Sequence, residues 1–348
     1  MIRHSILLGL LAALLQGCAS TPEKEVKRPI WPAPPDEPRY QYETVLRLED
    51  QFTGSGQGLL GALSGADMQP RQLFGKPFDI EAHNGVILVS DTVSRVVHYL
   101  HVPARMVFRV GAKDGPGKLL KPSGIGMDNA GNFYVADVSA RRVLAFDALG
   151  VYKNEIGSPD DYLKPTDVAV SPAGDRVYVI DTGGVDSDKH RVLVYDAAGN
   201  QLSVIGTRGD KEGQFNLPVS ADVDKDGNLY VLDAGNFRVQ IFDRDGKFLN
   251  AWGKVGQTIG DLARPKGIAV DEDGLVYVTD AAFANVQVFD NKGRLMLAIG
   301  TGTVADEPGG YSLPAGVAAD ETGRLYVVEQ RFNKVEVIKK LKPASEAK

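Results

Sequence analysis

From residue 73 onward the chain consists of short runs in which apolar residues alternate with polar ones, separated by residues typical of turns. The clearest example holds the runs GIAVD, LVYVTD, NVQVFD and RLMLAIG between residues 267 and 300. A period of two, with many Val, Ile, Tyr and Phe residues, predicts β-strands, because a helical face would repeat every 3.6 residues. We therefore predict four short antiparallel strands in this stretch.

This pattern occurs six times. The units begin with KPFDIEAHNGVILVSD, KPSGIGMDNAGNFYVAD, KPTDVAVSPAGDRVYVID, LPVSADVDKDGNLYVLD, RPKGIAVDEDGLVYVTD and LPAGVAADETGRLYVVE. Each of these stretches closes on an acid, and successive closing acids are 44 to 52 residues apart: Asp91, Asp137, Asp181, Asp233, Asp280 and Glu329. Repeats of this length with four strands each are typical of β-propellers. We predict an all-β fold, a six-bladed β-propeller of four-stranded antiparallel blades.

The sixth unit is one strand short. VEVIKK at residues 335–340 corresponds to a third strand, and only LKPASEAK follows it. The segment YQYETVLRLED at residues 40–50 alternates like a strand and precedes the first unit. We predict that this N-terminal strand completes the last blade and closes the ring, since an unpaired edge would invite aggregation.

The repeated pattern combines a proline with G-I-A-V-D, G-x-L-Y-V-x-D, R-V and F-D-x-x-G, as in RPKGIAVDEDGLVYVTD and LPVSADVDKDGNLYVLDAGNFRVQIFDRDG. It resembles the NHL-repeat family of six-bladed β-propellers over roughly residues 73–340. The resemblance implies the propeller fold. It implies no single function, because similar propellers include amidating lyases, RNA-binding modules, ligase-associated substrate readers and sensor domains.

The N-terminus carries an export signal. Arg3 and His4 precede the apolar run ILLGLLAALL, which is too short to span a bilayer, and LLQGC resembles the lipobox of bacterial lipoproteins. We predict a signal peptide at residues 1–17, lipid modification of Cys18, a Pro-rich tether at residues 18–38 and a propeller at residues 39–348. Ala19 after the cysteine indicates the outer membrane, where the protein would face the periplasm or the exterior.

The composition and the charge distribution limit the classes of partner that we expect. The net charge of -6 is spread along the chain, with no basic run of the kind that binds nucleic acid, so we expect no nucleic-acid partner. Cys18 is the only cysteine, which excludes an intramolecular disulfide. The expected partners are the membrane, through the lipid on Cys18, and an envelope protein or a small ligand.

The stretch DVDKDGNLYVLD, residues 222–233, has nearly the spacing of an EF-hand calcium loop. Aligned with the other units, its glycine is the glycine of the first hairpin turn, and the unit SPAG lacks the acids altogether. We therefore interpret these acids as turn residues, and the closing acids as braces of a turn that recurs in each blade.

Five residues depart from the repeat on the innermost strands, which line the central channel: Asp79, Glu81, Asp167, Ser220 and Asp222. Two interpretations stay open. The carboxylates bond to backbone of the neighbouring blade or to channel water, or they converge on a cation or a ligand amine.

The leading hypothesis for function is a lipid-anchored, non-catalytic propeller that binds a protein or a small ligand at the cell envelope. The alternative is a channel-site enzyme of lactonase or lyase type, with or without a metal. No catalytic residue is assigned. The histidines do not suggest a zinc centre, and the one cofactor that we consider is a divalent cation in the channel.

Overall fold

The computed structural model describes residues 28–53 and 71–342. The N-terminal elements are β1 (Ile30–Trp31), β2 (Tyr40–Leu46) and the one-turn helix α1 (Asp50–Thr53). The strands of blades one to three are β3 (Pro77–His83), β4 (Val86–Asp91), β5 (Val96–His101), β6 (Met106–Val110), β7 (Pro122–Met127), β8 (Phe133–Asp137), β9 (Arg142–Phe146), β10 (Tyr152–Ile156), β11 (Pro165–Val170), β12 (Val177–Asp181), β13 (Arg191–Tyr195) and β14 (Gln201–Ile205).

The remaining strands are β15 (Pro218–Val223), β16 (Leu229–Asp233), β17 (Arg238–Phe242), β18 (Phe248–Trp252), β19 (Pro265–Val270), β20 (Val276–Asp280), β21 (Asn285–Phe289), β22 (Leu295–Ile299), β23 (Pro314–Ala319), β24 (Arg324–Glu329) and β25 (Lys334–Lys340). A 3₁₀ turn lies at Ala234–Asn236. Within the described residues no helix is long and apolar enough to cross a membrane.

The strands form six antiparallel sheets arranged as the blades of a propeller, which confirms the predicted fold. Five sheets have four consecutive strands each, and the first strand of each faces the first strands of its neighbours around the axis. In the sixth sheet the order is β1-β2-β25-β24-β23. Strand β2 pairs with β25 from Tyr40 opposite Lys340 to Leu46 opposite Val335, so the predicted closure by an N-terminal strand is confirmed.

A fifth strand on the last blade was not predicted. Ile30 and Trp31 pair with Gln41 and Tyr40, inside the segment that the sequence suggested as a tether. The Trp31 side chain is only 6% exposed, and its Nε1 donates to the Gly300 carbonyl at 3.0 Å. The indole packs between the last two blades, in a buried cluster that also holds Ile299 and Ile338.

The core lies between blades rather than within one sheet. Six clusters of buried apolar residues occur in the described part of the chain, and each is built by two neighbouring blades. Leu88 of blade one and Phe133 of blade two, for example, share a cluster. A fully buried side chain of this size contributes about 1.5–3 kcal/mol. Every blade therefore depends on both neighbours, and the ring has to close.

The closing acids fix the start of each blade, as the sequence suggested. Asp137 accepts the Leu120 and Lys121 N–H groups at 2.6 and 3.0 Å, and Glu329 accepts those of Ser312 and Leu313. Both carboxylates are fully buried, and with the Ala140 and Arg331 N–H groups each accepts three backbone amides, which replace the lost water.

Arginines join this brace in only two blades. Arg191 pairs with Asp181 at 3.2 Å, and Arg238 pairs with Asp233 at 2.9 Å. The backbone donors are therefore the part of the brace that all blades share.

A second brace holds two of the connections that run between blades. The Gly213 N–H donates to Gln240 Oε1 at 2.9 Å, and the Gly260 N–H donates to Gln287 Oε1 at 2.6 Å. Gln287 Nε2 donates in turn to the Asp261 carbonyl at 2.8 Å. Both glutamines are fully buried, so each loop is tied to the blade that follows it.

The stretch that resembles a calcium loop is a hairpin turn. Asp224 Oδ1 accepts the Asp226 and Asn228 N–H groups at 3.0 and 2.8 Å, and Gly227 has a φ of 85°. Glycine adopts this left-handed conformation at least cost. The carboxylate is thus occupied by its own turn, and Asp222 lies on the preceding strand β15.

Candidate functional site in the central channel

The inner strands place the five predicted residues in two levels of the channel. Each inner strand shifts its register just after its first proline, for example between Pro165 and Asp167 in β11. Such a bulge re-aims the side chains that follow it. The upper level, at the third residue of each inner strand, holds Asp79, Gly124, Asp167, Ser220, Gly267 and Gly316. The lower level, two residues on, holds Glu81, Gly126, Ala169, Asp222, Ala269 and Ala318.

The upper level opens into a cavity of about 160 Å³ that all six blades line. Asp79, Asp167 and Ser220 contribute to it, together with Lys266 and Gln330. Gly124 of blade two lies against Asp167, where a Cβ would collide with the Asp167 side chain, so the missing side chain leaves room for Asp79 and Asp167 to face the same cavity. The upper level therefore contains two buried carboxyl groups in one cavity.

The lower level opens into a second cavity, of about 230 Å³, at the end of the channel where the first hairpin turns lie. Glu81 of blade one and Asp222 of blade four project into it from opposite sides of the ring, because these blades are three positions apart. The structure thus brings Asp79, Asp167 and Ser220 together in one cavity and Glu81 with Asp222 in the other.

Three of the four carboxylates join one blade to the next. Asp79 Oδ2 accepts the Ile125 N–H at 2.9 Å, and Asp167 Oδ2 accepts the Ala221 N–H at 2.9 Å. Asp222 Oδ2 accepts the Val270 N–H at 2.7 Å.

Of two further polar contacts, one is local and one joins blade four to blade five. The Asp222 Oδ1 atom accepts the N–H of its own neighbour Val223 at 2.7 Å, and the Ser220 hydroxyl accepts the Ile268 N–H at 3.4 Å. The first of the two interpretations, bonding to neighbouring-blade backbone, is therefore observed. Hydrogen bonds of this kind also fix the carboxylates in place for a ligand.

Burial dominates the protonation of these groups. It raises the pKa of Asp79 to about 6 and that of Asp222 to about 7, although amide hydrogen bonds lower both. Burial also raises the pKa of Glu81 well above its usual range, and the charges of Asp222, Asp79 and Asp167 raise it further. The pKa of Asp167 is raised by burial and by Asp79.

Within residues 28–53 and 71–342 none of the four carboxyls has a Lys, Arg or His ion-pair partner. Among the described residues Lys266 lines the same cavity as Asp79 and Asp167, but it is not within ion-pair distance of either carboxyl. Ionisation of all four groups near neutral pH is opposed by burial and by their mutual repulsion.

The described residues do not provide a preformed metal centre. They contain no group of three or more His, Cys, Asp or Glu side chains placed to hold a metal ion. The histidines are far apart in the fold: His83 pairs with Glu321 at the hairpin turns, His98 lies beside Asp91, and His190 Nδ1 accepts the Leu217 N–H. The divalent cation considered from sequence has no ready ligand set here.

Two channel residues were missed by the sequence reasoning. Lys266 and Gln330 line the upper cavity, but Lys266 occupies a position that varies freely between units, and Gln330 lies in a turn after β24. One signal in the sequence could have identified Lys266. In the alignment of the units Gly267 occupies the position of Asp79 and Asp167, and Lys266 directly precedes it.

Comparison with known proteins agrees with the repeats. The NHL repeat family model matches residues 215–242 and 262–289. A curated relative, the probable peptidyl-alpha-hydroxyglycine alpha-amidating lyase pgal-1 of Caenorhabditis elegans, is 31% identical over 125 residues. That match covers 33% of this chain and 34% of the relative, so the chain spans about a third of the length of that relative.

Solved structures with similar folds are more distant in sequence. A gluconolactonase from Xanthomonas campestris superposes with a TM-score of 0.56 at 17% identity, over 76% of this chain and 86% of that one. A streptogramin B lyase superposes with a TM-score of 0.55 at 12% identity, over 76% of this chain and 94% of that one. Hydrazine synthase of Kuenenia stuttgartiensis superposes with a TM-score of 0.54 at 14% identity, over 80% of this chain and 99% of that one. At these identities the likeness concerns the fold alone.

Proposed function

We propose that this chain, an NHL-repeat six-bladed β-propeller, is a lipid-anchored, non-catalytic scaffold that binds an ammonium group in its channel at the cell envelope. The ammonium belongs to a small ligand or to a protein partner. The observation that supports this is the set of four channel carboxyls without a basic partner in the described residues. A cation that enters the channel would supply the missing charge.

The geometry favours an organic ammonium over a metal ion. Oxygen atoms of Asp79, Asp167 and Asp222 are occupied by amide N–H groups, so few lone pairs remain for the six to eight oxygen ligands that calcium needs. An ammonium needs only three acceptors, and it can donate to oxygens that already accept one hydrogen bond.

Calorimetric titration of the soluble form that lacks residues 1–18 tests this proposal. Butylammonium is expected to bind in a 1:1 ratio at pH 8, and butanol is expected not to bind. The double variant Asp79→Asn/Asp167→Asn should lose the heat of binding, and parallel titrations with calcium, magnesium and zinc separate metal binding from ammonium binding. Equal binding of butylammonium by both proteins would reject the upper cavity, which Asp79 and Asp167 line, as the site.

The membrane part of the proposal rests on Cys18, which lies outside the described residues. Metabolic labelling with a radioactive fatty acid is expected to label the full chain, and the variant Cys18→Ser should carry no label. The same variant should move from the membrane fraction to the soluble fraction. Label that persists in Cys18→Ser would contradict lipidation at this residue.

A second candidate is a channel-site enzyme of lactonase or lyase type. The observation that favours it is the pair of buried carboxyl groups, Asp79 and Asp167, in one cavity. Burial raises both pKa values, so that a protonated carboxyl can donate a proton to a leaving oxygen while an ionised one accepts a proton from water. Turnover of a panel of sugar lactones by the soluble form, lost in Asp167→Asn, would establish this function. Absence of turnover together with butylammonium binding would reject the enzyme and support the non-catalytic scaffold.

A further inference from the structure

One end of the propeller carries exposed cations around the mouth of the upper cavity. We call them the collar: Lys76, Lys121, Lys164, Arg264, Lys266 and Arg331. Four of them directly precede the proline that begins an inner strand, Lys266 follows such a proline, and Arg331 lies in the turn between β24 and β25. Inner strands begin at the same end of the propeller, so residues from five blades meet there although they are far apart in sequence.

The collar cations have no counter-ions within the described part of the chain. None of the six forms an ion pair there, whereas basic residues elsewhere do, such as Arg324 with Glu43 and Lys340 with Asp271. The polar contact of Arg264 is a bond of 3.3 Å to the Ala281 carbonyl. Burial and the nearby Arg264 lower the pKa of Lys266, whereas the charge of the buried Asp280 raises it, so two collar cations lie close together.

The backbone under the collar is rigid. Asp137 accepts the Lys121 N–H, Asp181 accepts the Lys164 N–H at 2.7 Å, and Asp280 accepts the Arg264 N–H at 3.0 Å. These carboxylates are fully buried, so a partner cannot touch them, whereas the collar side chains extend into solvent. Exposed acids of this end, such as Asp160, lie earlier in the loops between blades, nearer the outer strands.

Exposed apolar side chains stand beside the collar. Phe78 is 39% exposed, Leu120 is 43% exposed and Leu163 is 41% exposed, and each is next to a collar residue or two positions from it. Exposed apolar side chains next to charged ones fit a protein interface, in which apolar contacts are surrounded by a polar rim. We propose that the collar is a docking surface for an acidic segment of a protein partner.

The carboxyl groups at the centre of the collar favour a protein partner over a nucleic acid or an anionic membrane. The Asp79 and Asp167 carboxyls lie in the 160 Å³ pit inside the collar, so negative charge is encircled by positive charge. A nucleic-acid strand or an anionic bilayer would bring negative charge over this pit as well as over the collar. A polypeptide has an uncharged backbone, so it can set its carboxylates against the collar while only backbone crosses the pit. Docking here does not require the channel to bind an ammonium group.

Fluorescence anisotropy with labelled poly-L-glutamate tests the collar, with the soluble form that lacks residues 1–18. The triple variant Lys76→Glu/Lys121→Glu/Lys164→Glu is compared with Lys247→Glu/Lys292→Glu/Lys339→Glu, which makes the same change in net charge. The control lysines are exposed and unpaired in the described structure, and they lie toward the hairpin turns at the other end.

The collar variant is expected to raise Kd for poly-L-glutamate at least tenfold, and the control variant less than threefold. The proposal is overturned if the wild type shows no saturable binding or if both triple variants lose binding equally. Tighter, collar-dependent binding to phosphatidylglycerol vesicles or to single-stranded DNA would also overturn it. Asp79→Asn/Asp167→Asn should keep poly-L-glutamate binding, which separates this result from failure of the channel site.

Discussion

Replacement of Asp222 by asparagine should change how the stability of the propeller depends on pH. Asp222 projects into the lower cavity, and its two oxygens accept the Val223 and Val270 N–H groups, both at 2.7 Å. Its pKa is about 7 in the folded protein, against 3.8 for the unfolded chain. The folded state therefore binds a proton more tightly than the unfolded state.

The sign and the size of the effect follow from this shift. Because the folded pKa is the higher one, the stabilisation is complete below pH 3.8 and is lost as the pH rises through about 7. The full shift corresponds to about 4 kcal/mol, of which about 2.5 kcal/mol is lost between pH 5 and pH 8. Asparagine does not titrate, but it keeps only one acceptor oxygen, so one buried N–H loses its partner at a cost of about 1–3 kcal/mol at every pH.

Urea denaturation of the soluble form at pH 5, 6, 7 and 8 measures the effect. Asp222→Asn is expected to be less stable than the wild type at pH 5, and the difference should shrink or reverse by pH 8. Asp196→Asn is the control, because hydrogen bonds from Asn200 lower the pKa of this exposed turn carboxyl and keep it ionised over the whole range. A difference between wild type and Asp222→Asn that stays constant from pH 5 to pH 8 would refute the reasoning.

Three further predictions concern the architecture. Deletion of residues 39–50 removes the strand that pairs with β25, and we expect loss of the cooperative thermal transition; an unchanged melt would refute the closure. Trp31→Ala should lower the free energy of unfolding by about 3 kcal/mol, while the exposed Val255→Ala should change it by less than about 0.5 kcal/mol, and equal effects would contradict the packing of β1. Gln287→Ala should cost about 1–3 kcal/mol and speed hydrogen exchange at Gly260, and unchanged exchange would show that this brace is not needed.

The fold was predictable because the same sequence pattern occurs six times along the chain. A proline, a hairpin glycine and a closing acid recur at the same places, and each has a local physical role that can be read without the structure. The missing strand was equally predictable, since the sixth unit has one strand fewer than the others and YQYETVLRLED alternates like a strand. Strand β1 was not, because Pro29 and Pro32 on either side of Ile30–Trp31 suggest an extended tether rather than a strand.

The channel was only half predictable. Departure from the repeat identified five channel residues, but the division between two cavities depends on the bulge at the start of each inner strand, which alternation alone does not reveal. The collar shows the same limit. Lysine before proline is visible in the sequence, yet only the ring brings Lys76 and Arg264 to one surface.

The most direct test of the central claim, that the channel carboxyls bind an ammonium group, is proton release on binding. Titration of butylammonium at pH 6.5 in two buffers of different ionisation enthalpy reports the number of protons exchanged. Because burial raises the pKa values of Asp79 and Asp167 in the upper cavity, binding of an ammonium group there should release protons from these carboxyls. Asp79→Asn/Asp167→Asn should show neither binding nor release. Binding without proton release, or release that survives in the variant, would contradict the account.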